Sequence, residues 1–166
     1  TPLEYLRFVG EAKGLRGGEL RRQIEDVIEE TRIGDMRSRR ISALSKGYRQ
    51  RVGIAQALLG SPEAIILDEP TVGLDPLQIV EIRELIASLG KSRTVLISSH
   101  ILSEVQNMCS KILIIAHGRL VAFDEPAKLE ERLSSPGEIT VTAETDAAAA
   151  KSLIDGVGGV KSSAVG

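Results

Sequence analysis

The first 60 residues carry apolar side chains at intervals of three and four, as on one face of a helix. This spacing predicts three helices. The first runs from Pro2 to about Lys13, the second from Glu19 to near Gly34, and the third begins after Ser45 and stops before Gly60. The apolar residues behind these predictions are Leu3, Leu6, Val9, Leu20, Ile24, Val27, Ile28, Val52, Ala55, Leu58 and Leu59.

The pattern changes after Pro62 to short apolar runs separated by a helical stretch. Runs at 65–67, 94–98 and 112–116 predict strands, and a helix is expected to begin at Asp75-Pro76. Strands that alternate with helices indicate βαβ units and a parallel sheet. Since the run around Ile65 is continuously apolar, we expect that strand to be covered on both faces.

Later elements are expected to be smaller. His117-Gly118 predicts a tight turn, so a strand over 120–123 would fold back antiparallel, and Glu125-Pro126 would open a helix through Leu133. Residues 134–137 are a candidate linker. After it, alternation over 139–143 and an alanine-rich stretch at 146–155 predict a βα appendage, cut short at Gly166. The expected domains are a helical part at 1–60, an α/β part at 61–134 and the start of the appendage at 137–166.

Composition narrows the class of protein. The chain has 166 residues, a formal net charge of −2 and one cysteine, Cys109, which excludes an internal disulfide framework. A basic cluster at Arg37, Arg39 and Arg40 is expected to be a solvated loop, so no nucleic-acid partner is predicted. The sequence contains neither an apolar run of membrane-spanning length nor an export signal, and a cytoplasmic location is expected. The start at Thr1 suggests a segment of a larger protein.

Asp68 and Glu69 stand at the end of the apolar run Ala64–Leu67. In open α/β sheets, ligands bind beyond the carboxyl ends of the strands. Because side chains alternate along a strand, one carboxylate could hold a metal ion while the other faces a nucleophilic water, as phosphoryl transfer requires. The alternative is an acidic pair that caps the next helix.

A second candidate site is the segment Leu44-Ser45-Lys46-Gly47-Tyr48, which precedes a predicted helix. Helix N-terminal amides bind phosphate, and glycine lets a phosphate approach the backbone closely. A simple N-cap by Ser45 is the alternative.

Together these motifs resemble the nucleotide-binding domain of ABC transporters. Residues 44–48 are similar to the family's signature motif, with Lys46 and Tyr48 where the family has a glycine and a glutamine. Residues 65–69 resemble its Walker B strand, Gly73-Leu74-Asp75 its D-loop, and His100 its switch histidine. The resemblance covers about residues 39–133, and residues 1–38 are similar to the family's helical subdomain. More narrowly, the chain resembles the ATPases of bacterial ABC-2 type exporters.

The resemblance implies a role for each site residue. Asp68 would hold Mg²⁺, Glu69 would polarise the attacking water, and His100 would contact the γ-phosphate of ATP. Four residues would contact nucleotide held by the P-loop of a partner subunit, which makes a dimer the active unit: Ser45, Lys46 and Gly47 of the signature segment and Asp75 of the D-loop. The family's fold is a P-loop NTPase-like α/β fold with a parallel sheet, here partial, and a helical subdomain.

No P-loop motif occurs in these 166 residues. Gly90-Lys91-Ser92 follows a helical pattern and precedes a strand, the reverse of a P-loop's context. We therefore expect the chain to resemble the second half of such an ATPase, to bind ATP weakly by itself, and to expose apolar strand edges that favour self-association.

Three functions follow as hypotheses. The leading one is the ATPase subunit of a membrane exporter, placed at the inner face of the membrane beneath a separate permease. Its rivals are a non-hydrolysing dimerisation or docking module and an ABC-type ATPase of DNA repair or translation. Both His100 and Asp75, taken alone, would more simply be helix caps.

Overall fold

The computed structural model describes residues 1–133, 146–158 and 163, which fall into two compact units, Thr1–Pro126 and Ala127–Gly166. The described elements are, in chain order, α1 Pro2–Ala12, α2 Gly17–Glu30, α3 Lys46–Leu58, β1 Ala64–Asp68, α4 Pro76–Leu89, β2 Thr94–Ser98, α5 Leu102–Gln106, β3 Ile112–Ala116, β4 Arg119–Asp124, α6 Pro126–Leu133 and α7 Ala147–Asp155. Short 3₁₀ turns at Gly34–Met36 and Ile41–Ala43 lie between α2 and α3.

Helices α1, α2 and α3 pack together, as their apolar spacing predicts. The side chain of Thr1 caps α1 by accepting a hydrogen bond from the backbone N–H of Glu4, and Pro2 occupies the first helical position. The apolar faces enclose a core of residues that are at most 8% exposed. From the helices this core includes Leu6, Leu20, Ile24, Val27, Ile28, Val52, Ile54, Ala55 and Leu58, and it continues into β1 and α4 through Ile65, Leu67, Ile82, Leu85, Ile86 and Leu89.

Helix α2 is shorter than its sequence pattern predicts. It ends at Glu30 instead of near Gly34, and Arg32 adopts a left-handed φ of 55° that an α-helix cannot continue through. The hydroxyl of Thr31 donates to the carbonyl of Val27 at 2.6 Å, so the last turn is closed by a side chain.

Strands β1 and β2 form the parallel pair that the sequence predicts. Ile65 lies opposite Val95 and Asp68 opposite Ser98, so the carboxyl ends of both strands are level. Helix α3 packs on β1 and helix α4 on β2. This arrangement fixes the segments that follow Asp68 and Ser98 side by side at one edge of the sheet.

The expectation that β1 is covered on both faces is wrong. Ile65 is 4% exposed but Ile66, on the opposite face, is 73% exposed, and its neighbour Leu96 on β2 is 58% exposed. In the described residues the helices cover one face of this pair, so alternate side chains remain open to solvent.

The third predicted strand does not extend the parallel sheet. β3 pairs antiparallel with β4 in a separate two-stranded sheet, which confirms the predicted hairpin but corrects the expectation that β3 continues the βαβ rhythm. The hairpin is set by its turn, since His117 and Gly118 both have positive φ, at 50° and 71°, as a type I′ turn requires.

In the second unit, α7 begins after Asp146, whose side chain accepts a hydrogen bond from the N–H of Ala149 at 3.2 Å. This helix confirms the prediction for 146–155. The predicted linker at 134–137 and the alternating stretch at 139–143 lie outside the described residues.

Candidate functional site

Two carboxylates stand where β1 ends. Asp68 is the last residue of the strand and is exposed, and Glu69 follows with a left-handed φ of 45°. Positive φ is uncommon for a residue with a side chain, and such conformations persist where the surroundings hold them. The chain therefore turns sharply between the two acids.

Ser98, the last residue of β2, fixes this turn. Its hydroxyl donates a hydrogen bond to Oδ1 of Asp68 and accepts one from the backbone N–H of Glu69 at 3.0 Å. One side chain on the neighbouring strand thus holds the carboxylate of Asp68 and the backbone of Glu69 in fixed relation. The parallel register, which places Ser98 opposite Asp68, makes these contacts possible.

His100 reaches back over the same strand ends to Glu69. Its Nδ1 atom lies 2.8 Å from Oε1 of Glu69, and its side chain is 68% exposed. The hydrogen bond to Glu69 and the negative charge of that carboxylate raise the pKa of His100. Oε2 of Glu69 is buried and accepts no hydrogen bond from the described residues.

The signature-like segment lies at the start of α3. The hydroxyl of Ser45 accepts a hydrogen bond from the N–H of Tyr48 at 3.3 Å, so Ser45 is the N-cap of the helix. Gly47 is buried within the first turn, while Lys46 and Ser45 are exposed. Ser45 therefore caps α3, as the alternative interpretation predicted.

The loop that leads into α4 packs directly on this segment. A Cβ atom on Gly73 would lie 2.1 Å from Nζ of Lys46, and one on Gly47 would lie 2.8 Å from Oε1 of Gln78. Asp75 caps α4 by accepting a hydrogen bond from the N–H of Gln78 at 2.9 Å. Two glycines thus allow the starts of α3 and α4 to touch.

A cavity of about 210 Å³ opens between these two helix starts. Its lining includes Ser45, Gly47, Tyr48, Asp75, Leu77 and Gln78. The seven candidate residues from the sequence therefore fall into two clusters. The strand-end cluster contains Asp68, Glu69 and His100, and the helix-start cluster contains Ser45, Lys46, Gly47 and Asp75. Segment 69–75 connects them.

Sequence reasoning missed four residues that shape the site: Thr71, Gln78, Ser98 and Glu104. Thr71 lies between the segments 65–69 and 73–75, and Ser98 ends the predicted strand 94–98, but only the strand register shows that Ser98 touches Asp68. The hydroxyl of Thr71 donates to Oε2 of the buried Glu104 at 2.5 Å, a contact between residues 33 positions apart. Pairings of that sequence separation leave no local pattern.

Comparison with known proteins decides the family. The model of the family described as ABC transporter matches residues 4–72, which include Ser45, Gly47, Asp68 and Glu69. The ABC transporter ATP-binding protein NatA of Bacillus subtilis (strain 168) is 39% identical over 122 residues, which are 73% of this chain and 50% of NatA. The chain belongs to the ABC transporter ATP-binding family.

Further relatives of this ABC ATP-binding chain agree. The bacitracin transport ATP-binding protein BcrA of Bacillus licheniformis is 43% identical over 131 residues, covering 73% of this chain and 43% of BcrA. Among solved structures, CbiO1 from Clostridium perfringens, described as part of the ABC transporter complex CbiONQ, superposes with a TM-score of 0.73 at 27% identity. That match covers 80% of this chain and 54% of CbiO1.

The ABC ATP-binding chain spans about half the length of the curated relatives that it matches. The predicted fold class, a partial P-loop NTPase-like α/β fold, is confirmed by these structural neighbours and by the parallel pair β1–β2. Within the described ranges, every helix is too short or too polar to cross a membrane.

Proposed function

We propose that this chain supplies the signature motif, the catalytic glutamate and the switch histidine of an ATP-hydrolysing transporter subunit that drives export. The observation that carries the proposal is the contact between His100 and Glu69 at the ends of β1 and β2, 2.8 Å apart. Phosphoryl transfer depends on positioned charges around an attacking water and a phosphate, and this pair offers an acceptor and a donor at one strand edge.

In this proposal Glu69 orients the attacking water. Oε1 of its carboxylate contacts His100, whereas Oε2 has no hydrogen-bond partner among the described residues. The negative charge of this carboxylate is what would orient the attacking water. His100, with its pKa raised by Glu69, is cationic over a wider pH range and can contact a phosphate oxygen.

In this proposal Asp68 holds Mg²⁺ together with a nucleotide. Its carboxylate is exposed, and the hydroxyl of Ser98 fixes one of its oxygens. This single oxygen-donor side chain fits Mg²⁺, which proteins bind through one or two carboxylates while phosphates and waters complete the coordination. When bound there, Mg²⁺ would supply positive charge to the phosphoryl group being transferred.

The helix-start cluster is proposed to serve a second nucleotide. Ser45 and Gly47 border an open cavity at the N-terminus of α3, where backbone N–H groups and the helix dipole favour an anion. Its resemblance to the ABC signature motif supports contact with ATP held by the P-loop of a second ATP-binding subunit. The active unit would then be a nucleotide-sandwich dimer, with a homodimer the simplest form.

The same proposal assigns a partner and a location. A separate transmembrane permease would transmit the nucleotide-driven movement, and the subunit would lie at the cytoplasmic face of the membrane. The relatives include a bacitracin transport ATP-binding protein, which supports a role in transport. A nucleic-acid partner is not proposed, since the net charge is −2 and the basic residue Arg37 is paired with Glu25 at 2.6 Å.

A chimera tests the function. This chain replaces the matching half of NatA, and ATP hydrolysis is measured with and without Mg²⁺, with intact NatA as the reference. The proposal expects Mg²⁺-dependent hydrolysis within about tenfold of NatA. A folded chimera that binds ATP but does not hydrolyse it would instead favour a non-hydrolysing dimerisation module.

A further inference from the structure

A buried contact lies behind the exposed strand-end cluster. Glu104 is 6% exposed and Thr71 is 4% exposed, and the hydroxyl of Thr71 donates to Oε2 of Glu104 at 2.5 Å. A carboxylate removed from water is costly unless its oxygens are satisfied. Nη2 of Arg83 on α4 lies 3.9 Å from the other oxygen, Oε1, and offsets part of the charge.

The two residues of this contact belong to the segments that carry the site. Thr71 follows Glu69 by two positions, in the turn that leaves β1. Glu104 follows His100 by four positions, in the five-residue helix α5. Thr71–Glu104 and Glu69–His100 therefore bridge the same two segments, and Ser98 adds a third link through the N–H of Glu69.

The Glu69–His100 and Thr71–Glu104 links differ in their exposure to water. His100 is 68% exposed, so its contact with Glu69 competes with solvent. The Thr71–Glu104 bond is shielded, and hydrogen bonds to charged groups are stronger where water is excluded. Helix α5 is too short to hold its own position, and Ile101 at its start provides no side-chain cap. An anchor outside the helix is needed to place it.

We propose that Thr71 and Glu104 form a positioning pair, which holds the segment of His100 against Glu69. In this role neither residue contacts the reacting groups. Both act by fixing the distance between the segment that follows β1 and the segment that follows β2. The inference rests on the proposed function for its importance, because an ATPase would use Glu69 and His100 together. Its test requires neither nucleotide nor hydrolysis, so the two proposals can fail separately.

The test follows the imidazole of His100 by NMR as a function of pH in the 166-residue chain. Glu69 and Glu104 are the acidic groups that raise the pKa of His100, so the Glu69→Gln variant defines the value expected when the contact is lost. Thr71→Val removes the buried hydroxyl while leaving both charges in place. Thr71→Ser restores the hydroxyl and is the matched control.

If the pair positions His100, Thr71→Val lowers its pKa by at least half of the change that Glu69→Gln causes, and Thr71→Ser retains the wild-type value. If the contact only stabilises the fold, Thr71→Val unfolds more readily but leaves the pKa of His100 at the wild-type value, which overturns the proposal.

A second variant covers the case in which Thr71→Val does not fold. Glu104→Asp keeps the charge near His100 but shortens the side chain by one methylene, which takes the carboxylate out of reach of Thr71. The same fall in the pKa of His100 is expected. A folded Glu104→Asp protein with an unchanged pKa would contradict the proposal equally.

Discussion

The Nδ1 atom of His100 lies 2.8 Å from Oε1 of Glu69, and the contact joins the segments that follow two neighbouring parallel strands. The hydrogen bond and the carboxylate charge raise the pKa of His100, so the folded protein binds this proton more tightly than the unfolded chain. The pair therefore stabilises the fold while His100 is protonated and Glu69 is ionised, and this stabilisation is lost as pH rises through the raised pKa of His100.

A double-mutant cycle with Glu69→Gln and His100→Asn measures this effect. The coupling free energy between the two positions is expected to be fully present below about pH 6, under the ordinary pKa of histidine, and to disappear as pH rises through the raised pKa. Urea unfolding at pH 5.5 and pH 9 provides the measurement. A coupling that grows with pH would contradict the assignment of the raised pKa.

Gly73→Ala is expected to destabilise the protein through its backbone conformation. Gly73 has a φ of +68°, where alanine costs about 1–2 kcal/mol. A Cβ atom there would also lie 2.1 Å from Nζ of Lys46. Gly118→Ala is the matched control, because Gly118 has a φ of +71° and open space around its Cβ position.

Because the atom that the new Cβ would meet is the end of the flexible, exposed Lys46 side chain, which can move aside, the stability loss from Gly73→Ala in thermal or urea unfolding should be close to that from Gly118→Ala. A clearly larger loss at Gly73, recovered by Lys46→Ala, would show instead that the Lys46 side chain is held in place against residues 73–75.

Because the guanidinium of Arg51 is buried, removing the charge of its partner Glu81 should lower the free energy of unfolding more than removing that of Glu84, an exposed acid on the same helix. Nη2 of Arg51 lies 2.7 Å from Oε2 of Glu81, and Nη1 donates to the carbonyl of Thr31. Since Glu81 is 46% exposed, solvent screens the pair, and Glu81→Gln is expected to cost about 1–2 kcal/mol.

Glu84→Gln on the same helix is the control for this change. Glu84 pairs with Arg32 only at 3.9 Å, and both side chains are well exposed, so the expected cost is below about 0.5 kcal/mol. Urea unfolding measures the stability of both variants. Equal losses would show that pairing with the buried Arg51 gives Glu81 no greater effect on stability than Glu84 has.

The uncovered face of β1–β2 predicts self-association of the chain. Ile66 and Leu96 are neighbours on that face, 73% and 58% exposed, and contiguous exposed apolar surface favours association. The double variant Ile66→Thr/Leu96→Thr should lower the mean mass in light scattering while leaving the unfolding midpoint nearly unchanged. Ile65→Thr, on the buried face, should instead cost more than about 2 kcal/mol.

Wild-type chain that remains monomeric at high concentration would contradict this prediction. Association that persists unchanged in the double variant would place the contact elsewhere in the molecule.

Local patterns predicted most of the elements. Helical spacing, Pro76 after Asp75 and the His117-Gly118 turn each depend on neighbouring residues, and the bounds of β2 and β3 agree with the structure. The pairing of the strands was harder to predict from the sequence, because a run of apolar residues does not show which strand it pairs with. The same run around Ile65 suggested burial on both faces, although Ile66 is exposed.

The candidate site likewise contains residues that the sequence could identify and contacts that it could not. Asp68, Glu69 and His100 could be singled out because each lies in or beside a recognisable run, and their roles stay proposals that the variants test. The contacts of Ser98 with Asp68 and of Thr71 with Glu104 depend on strand register and on the placement of a short helix. Neither can be inferred from spacing along the chain.

We propose that Glu69 orients the water that attacks ATP. The most direct test measures single-turnover ATP hydrolysis and ATP binding for Glu69→Gln in the NatA chimera, beside the unmodified chimera. Glutamine keeps the size of the side chain and loses its charge, so hydrolysis is expected to fall by at least about 100-fold while ATP affinity changes less than about threefold. Hydrolysis within about threefold of the unmodified chimera would contradict the assignment of Glu69.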